Sequence, residues 1–201
     1  DGGHEMVAGH RRKMASRLAG KADMDCIVRD LTDDEAIIIM VDSNLQRDQL
    51  LPSEKAFAYK MKLDAMRRQA GRPSKENSCP VGADLIGTRS DERLAENSPD
   101  SARQIQRYIR LTYLIPELLD MVDEGRIAFR PAVELSHLQE QEQYDLLTTI
   151  ESEDATPSLS QAIRMKRLSQ ESKLDMDTIF DIMTEEKPNQ KARIKIPMEK
   201  I

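Results

Sequence analysis

Arg103, Arg107 and Arg110 recur at i, i+4 and i+7 in the stretch "SARQIQRYIRLTY", with Gln104 and Gln106 beside them and no acid from Ser101 to Tyr113. On a helix the three guanidinium groups form one stripe. Arginine pairs bidentately with the major-groove edge of guanine and glutamine with that of adenine, and either holds phosphate oxygens. A face built this way has the chemistry of DNA readout. The same charges also suit a solvated face of a helical bundle. Ile105, Tyr108 and Ile109 fall at i, i+3 and i+4 and make a separate apolar stripe, which has to be buried.

The elements needed to present such a face are those of a helix-turn-helix, two short helices with a tight turn that send the second helix's N-terminal residues into a major groove about 12 Å wide. Ser90 can cap a first helix whose Leu94 and Ala95 face inward, Asn97 and Ser98 make the turn, and Pro99 suits a first helical position because its missing N–H costs nothing there. The second helix is then expected from Pro99 to about Leu114. Further helices follow in "IPELLDMVDEG", "RPAVELSHL", "QEQYDLLTTIESED" and "SLSQAIRMKRLSQES". In this reading Arg103, Gln104, Gln106 and Arg107 approach bases, with Ser101 at the head of the contact set. Arg110 and the basic segment 60–75 hold phosphate.

Upstream, residues 1 to about 70 read as a small, incomplete α/β unit. A strand is expected from Glu5 to Ala8, a helix to Gly20, and a second strand in "DCIVRD". Thr32 is placed to cap the next helix, with acids in its first turn where the helix dipole favours them. A longer helix is expected after Ser53 as cap, with Phe57, Met61 and Leu63 to Met66 on its apolar side. Residues 71–89, rich in Gly, Pro, Ser and Asn, read as a linker. The expected plan is an N-terminal unit over 1–70, that linker, a helix-turn-helix domain over 90–175 and a polar tail over 176–201. The class is mainly α. Aromatics are 3% of the 201 residues and Trp is absent, while Leu, Ile, Met and Ala recur at helical spacing.

A net charge of -6 excludes a chain that coats nucleic acid indiscriminately, which makes Ser101–Tyr113 a basic island in an acidic protein. Cys26 and Cys79 match no metal or redox spacing. The Glu-x-x-His step of Glu134 and His137 occurs once, whereas a di-iron bundle needs two. No metal site is expected from these residues. The longest apolar run, Ala36 to Val41, is far short of a membrane span, and no signal-like segment opens the chain, so the expected location is the cytoplasm. Both ends read as cut, as in a fragment of a longer protein.

The stretch from Ser90 to about Leu138 resembles the central DNA-binding domain of ParB-type chromosome and plasmid partition proteins. In that family the helix-turn-helix is followed by Tyr-(Ile/Leu)-Arg-Leu, matched by Tyr108 to Leu111. A Leu-x-x-Gly-x-(Ile/Leu) step comes next, matched loosely by "MVDEGRIAF". Ala102 stands where the family often has the Arg of a Ser-Arg pair, with Arg103 one place later, and Arg130-Pro131 replaces a usual Gly-His. "VAGHRRKMAS" is similar to the family's Gly-Glu-Arg-Arg box, and "VDSNLQRDQLLPSEKAFAY" to its Glu-Asn-x-x-Arg box.

The resemblance implies a homodimer on double-stranded, centromere-like DNA, a ParA-type ATPase partner, and CTP with Mg²⁺ held by Gly9, His10, Arg11, Arg12, Asn44 and Arg47. His10 and Ser43 stand where the boxes have Glu, and a hard cation prefers carboxylate oxygen. Arg11, Arg12, Asn44 and Arg47 are equally suited to an interdomain polar network or to DNA phosphate. Rival functions are a transcription regulator using the same helix-turn-helix, and a CTP-dependent switch or nuclease on the ParB-like fold.

Overall fold

A computed structural model describes residues 3–47, 49–69, 94–95 and 98–185. The chain divides into two compact units, Asp1–Thr112 and Tyr113–Ile201. The first carries 19 Lys and Arg against 18 Asp and Glu, the second 11 against 18, so the acidity of the whole chain belongs to the second.

The described helices of the first unit are α1 (His10–Leu18), α2 (Asp33–Leu45), α3 (Pro52–Gln69) and α4 (Ala102–Leu111). No strand occurs among the described residues, which corrects the expected strands at Glu5–Ala8 and in "DCIVRD". A strand exists only within a ladder. Both segments lack a partner, and Ile27 and Val28 are exposed. The mainly α class stands; the α/β character of the first unit does not.

Helix α2 starts where Thr32 and Glu35 close a capping box: the Thr32 N–H donates to Glu35 Oε2 at 2.8 Å and the Glu35 N–H to Thr32 Oγ1 at 3.4 Å. Helix α3 begins two residues earlier than expected, at Pro52. Pro52 occupies its first turn and Glu54 reaches back to the Leu51 N–H at 3.0 Å, so Ser53 lies inside the helix and is not its cap. Its buried side is Ala56, Tyr59, Leu63 and Ala65; Leu63 and Ala65 lie on the expected apolar side, whereas Phe57 and Met61, expected there too, face outward.

The reason for this phase is the partner surface. Helix α3 packs on both α2 and α4, and Val41, Leu45, Tyr59, Leu63, Leu94, Ile105 and Ile109 close one core between them. Burying an Ile or Leu of this kind contributes about 1.5–3 kcal/mol. Lys62 lies in the same interface, 2% exposed, with its ammonium 2.6 Å from Asp42 Oδ1. Arg68 at the far end of α3 pairs with Asp34 at 2.7 Å.

The second unit comprises α5 (Pro116–Asp123), α6 (Phe129–Leu135), α7 (Glu140–Glu153), α8 (Leu159–Gln170) and α9 (Met176–Thr184). Gly125, at φ 74°, ends α5 in the left-handed conformation, with the Arg126 N–H donating to the Met121 carbonyl at 2.9 Å. That conformation is the physical content of the Gly in the "MVDEGRIAF" step. Gln143 is buried and saturates three backbone groups: its Oε1 accepts from Ile115 N–H at 2.9 Å, and its Nε2 donates to the Tyr113 and Leu138 carbonyls at 3.1 Å each. Helix α6 packs on α8 and α9 on α7. Helix α9 falls in the segment expected as a tail after 175, yet Ile179, Ile182 and Met183 are buried and Gln161 Nε2 donates to the Ile182 carbonyl at 2.6 Å. The expected linker at 71–89 lies outside the described residues.

Candidate nucleic-acid interface

Helix α4 begins at Ala102 and ends at Leu111, shorter at both ends than the expected Pro99–Leu114. Ser101 is its N-cap, the hydroxyl accepting from the Gln104 N–H at 3.3 Å, while Pro99 sits in the preceding bend and not at the first helical position. Ser101 Oγ is therefore used in capping as well as lying exposed at the head of the helix. Leu94 is buried and helical, as the first helix of the motif requires. Ser90 and Asn97 lie outside the described residues.

Burial fixes the rotation of α4. Ile105, Ile109 and Leu111 point into the core, which leaves Arg103 and Gln106 fully outward and Gln104, Arg107 and Arg110 partly covered. Arg107 Nη1 donates to Gln104 Oε1 at 3.4 Å, so these two side chains stand together. The predicted contact set thus lies on one helix, at its N-terminal end and along one side. No acidic residue belongs to α4.

The turn before α4 is held by residues that sequence reasoning passed over. The Tyr59 hydroxyl lies 2.6 Å from Ser98 Oγ and donates to Asp100 Oδ2 at 2.7 Å. The Asp100 N–H donates to Ser98 Oγ at 3.2 Å, and Lys55 Nζ lies 3.3 Å from Asp100 Oδ2. Lys55 also stands 5.2 Å from the centre of the Tyr108 ring, and the Tyr59 and Tyr108 rings are 5.9 Å apart. Burial, with the Asp100 carboxylate beside it, pushes the Tyr59 phenol above its ordinary value even though its bond with Ser98 acts the other way, so it remains a donor. The available signal was Lys55 and Tyr59 at i, i+4 on α3, together with a single acid, Asp100, next to an arginine helix.

The basic segment 60–75 divides. Lys62 is buried against Asp42 and Arg68 pairs with Asp34, so neither is placed to track a phosphate backbone; Arg67 is exposed. Residues 70–75 lie outside the described residues. Glu134 of the Glu-x-x-His step pairs with Lys166 at 2.8 Å. Among the described residues no group of three or more metal-ligating side chains occurs.

The nucleotide candidates are arranged differently. Gly9 precedes α1 at φ 96° with no side-chain cap, and a Cβ there would stand 3.5 Å from Arg12 Nη2, because the Arg12 guanidinium folds over it. His10, Arg11 and Arg12 are exposed, Asn44 is half-buried near the end of α2, and Arg47 is exposed beyond it. Among the described residues no side-chain hydrogen bond or ion pair joins Arg11 or Arg12 to Asn44 or Arg47. Two arginines on an uncapped helix N-terminus fit an anion such as a phosphate. A divalent cation fits poorly: Ser43 has no carboxylate, and Asp42, the adjacent acid, is committed to Lys62.

No family model matches the chain. The chromosome-partitioning protein Spo0J of Thermus thermophilus is 30% identical over 125 residues, 62% of this chain and 38% of that protein. The chromosome 1-partitioning protein ParB of Deinococcus radiodurans is 48% identical over 67 residues, 33% of this chain and 23% of that protein. The crystal structure of C-terminally truncated ParB from Caulobacter crescentus, complexed to the centromeric parS site, superposes with a TM-score of 0.51 at 21% identity, covering 83% of this chain and 74% of that one. Over these stretches the chain is similar to ParB-type partition proteins. It spans less than half the length of the Thermus thermophilus and Deinococcus radiodurans proteins. No helix among the described residues is long and apolar enough to cross a membrane.

Proposed function

We propose that this chain is the DNA-reading part of a partition protein: that it binds a centromere-like, pseudo-palindromic site on double-stranded DNA through α4 and acts on the nucleoid. One observation carries the reading, the Arg103, Gln104, Gln106 and Arg107 face held outward by the burial of Ile105 and Ile109. Arg103 and Gln106, the most exposed, reach base edges; Arg107 and Gln104, already paired, act as one unit; Arg110, half-covered at the C-terminal end, contacts backbone phosphate. The acidic second unit limits attachment to arbitrary DNA, which sharpens the difference between site and non-site.

The dimer and a ParA-type ATPase partner belong to the same proposal, as does CTP. When bound, CTP would supply a negatively charged triphosphate, which Arg11 and Arg12 would hold at the N-terminus of α1 beside Gly9, with His10, Asn44 and Arg47 as further candidate contacts. Among the described residues beside Asn44, Ser43 has no carboxylate for Mg²⁺ and Asp42 is paired with Lys62.

Selection from a pool of random duplexes tests the DNA reading. Enrichment of one short inverted-repeat sequence is the expected result, with an affinity at least a thousandfold above that for scrambled duplex. A pool that stays random after repeated rounds contradicts it.

A further inference from the structure

The first turn of α4 carries Arg103 and Gln104, and its direction is set by the bend at Ser98 to Asp100, of which a backbone bond from the Ser98 N–H to the Ala95 carbonyl at 3.1 Å ties only the start. Tyr59 holds it. From α3 its hydroxyl reaches both Ser98 Oγ and Asp100 Oδ2, while its ring lies against Tyr108 on the second turn of α4. One buried side chain thereby fixes two points along the recognition helix. Asp100 adds an electrostatic problem, since a carboxylate one residue before the N-cap would repel a phosphate backbone, and Lys55 at 3.3 Å offsets that charge.

We propose that Tyr59 and Ser98, acting on Asp100, are positioning residues for DNA selectivity: they touch no base but hold the bend that aims Arg103 and Gln104. The proposal rests on the DNA reading above. Its physical basis is a difference in tolerance. A bidentate arginine or glutamine pair with a base edge needs donors and acceptors placed within roughly 0.5 Å. Attraction to phosphate falls off over a screening length of about 8 Å and hardly senses such a shift. Loosening the bend should therefore reduce selectivity far more than general affinity.

The test uses the full chain and the duplex enriched by the wild type, against a scrambled duplex of equal length, titrated over a range of salt concentrations. Tyr59→Phe keeps the ring against Tyr108 and removes the hydroxyl; Ser98→Ala removes the other end of the same bond. Each is expected to lower the ratio of site to scrambled affinity about tenfold, with the slope of affinity against salt unchanged. The double variant is expected to lose no more than Tyr59→Phe alone, because both changes break one bend. A partly unfolded variant would instead lose site and scrambled binding in equal proportion. That pattern in Ser98→Ala, the smaller change, would overturn the proposal, as would a selectivity equal to wild type. A wild-type pool with no enriched site overturns the DNA reading and takes this inference with it; an enriched site that both variants select normally overturns this inference alone.

Discussion

Helices α1 and α4 both present arginines near their N-termini, but they are built differently. Helix α4 is capped by a side chain, buries Ile105, Ile109 and Leu111, and enters through a bend bonded to α3. Helix α1 follows a left-handed glycine, has no side-chain cap and buries none of its residues; Met14 and Leu18 are exposed. Charge of one sign at helical spacing is common to both. What separates a finished binding face from a set of residue types is the opposed apolar stripe, because its burial fixes which way the charges point.

The largest effect that can break this contrast is on stability. Ile105→Ala removes a fully buried side chain from the core shared by α2, α3 and α4 and is expected to cost about 2–5 kcal/mol, whereas Met14→Ala should change stability by no more than about 0.5 kcal/mol. Urea unfolding of the two variants measures both. Equal losses would mean that α1 is as firmly embedded as α4.

Asp42→Ala sharpens the same contrast from the nucleotide side. It strands the buried Lys62 ammonium and is expected to destabilise the first unit by about 3 kcal/mol. An unchanged melting temperature would show that Asp42 is not needed as a counter-charge and is available for a cation.

The smallest effect concerns helix ends in acid. Glu35 and Asp175 are held below the ordinary carboxylate range, Glu35 first by its hydrogen bond from the Thr32 backbone and Asp175 first by its bond with Thr178. A depressed folded value means that the stabilisation is fully present above the unfolded value and is lost as pH falls through the folded one. Protection of the Thr32 and Thr178 amides against exchange should therefore fall below the ordinary carboxylate range, since these are the N–H groups the two carboxylates accept from. At Gln104 the acceptor is the Ser101 hydroxyl, which does not titrate, and protection should persist relative to the other two. Equal acceleration at all three would show global acid unfolding in place of local fraying.

How much of this was legible in the sequence follows from the same physics. The stripe of Ile105 and Ile109, the Thr32 cap and the order of helices after Ile115 were readable, because helical periodicity and capping are local. The phase of α3 was not. "KAFAYKMKLDAM" offers two apolar stripes in its first half, and only packing against α2 and α4 chooses Ala56 and Tyr59 over Phe57 and Met61, while Leu63 and Ala65 are buried as expected. The strands failed for the converse reason: alternation in "DCIVRD" describes a strand only if another chain segment supplies the ladder. Helix α9 was passed over because "LDMDTIFDIMTEE" is bracketed by acids, yet Ile179, Ile182 and Met183 share one face. The arginine and glutamine stripe was legible as one face of a helix; the residues that hold the bend before it, Lys55, Tyr59 and Asp100, meet across more than 40 positions of chain, and the only local trace was Lys55 and Tyr59 at i, i+4 and a lone acid beside the arginines.

The central claim is that the outward face of α4 reads bases. Its most direct test is the affinity of Arg103→Ala for the selected duplex and for a set of duplexes altered one base pair at a time. The account predicts a loss of about 1–3 kcal/mol on the selected site, with discrimination erased at one position and kept at the others. An equal loss on every duplex, with the salt slope lowered by about one, would make Arg103 a phosphate contact and contradict base readout by this face.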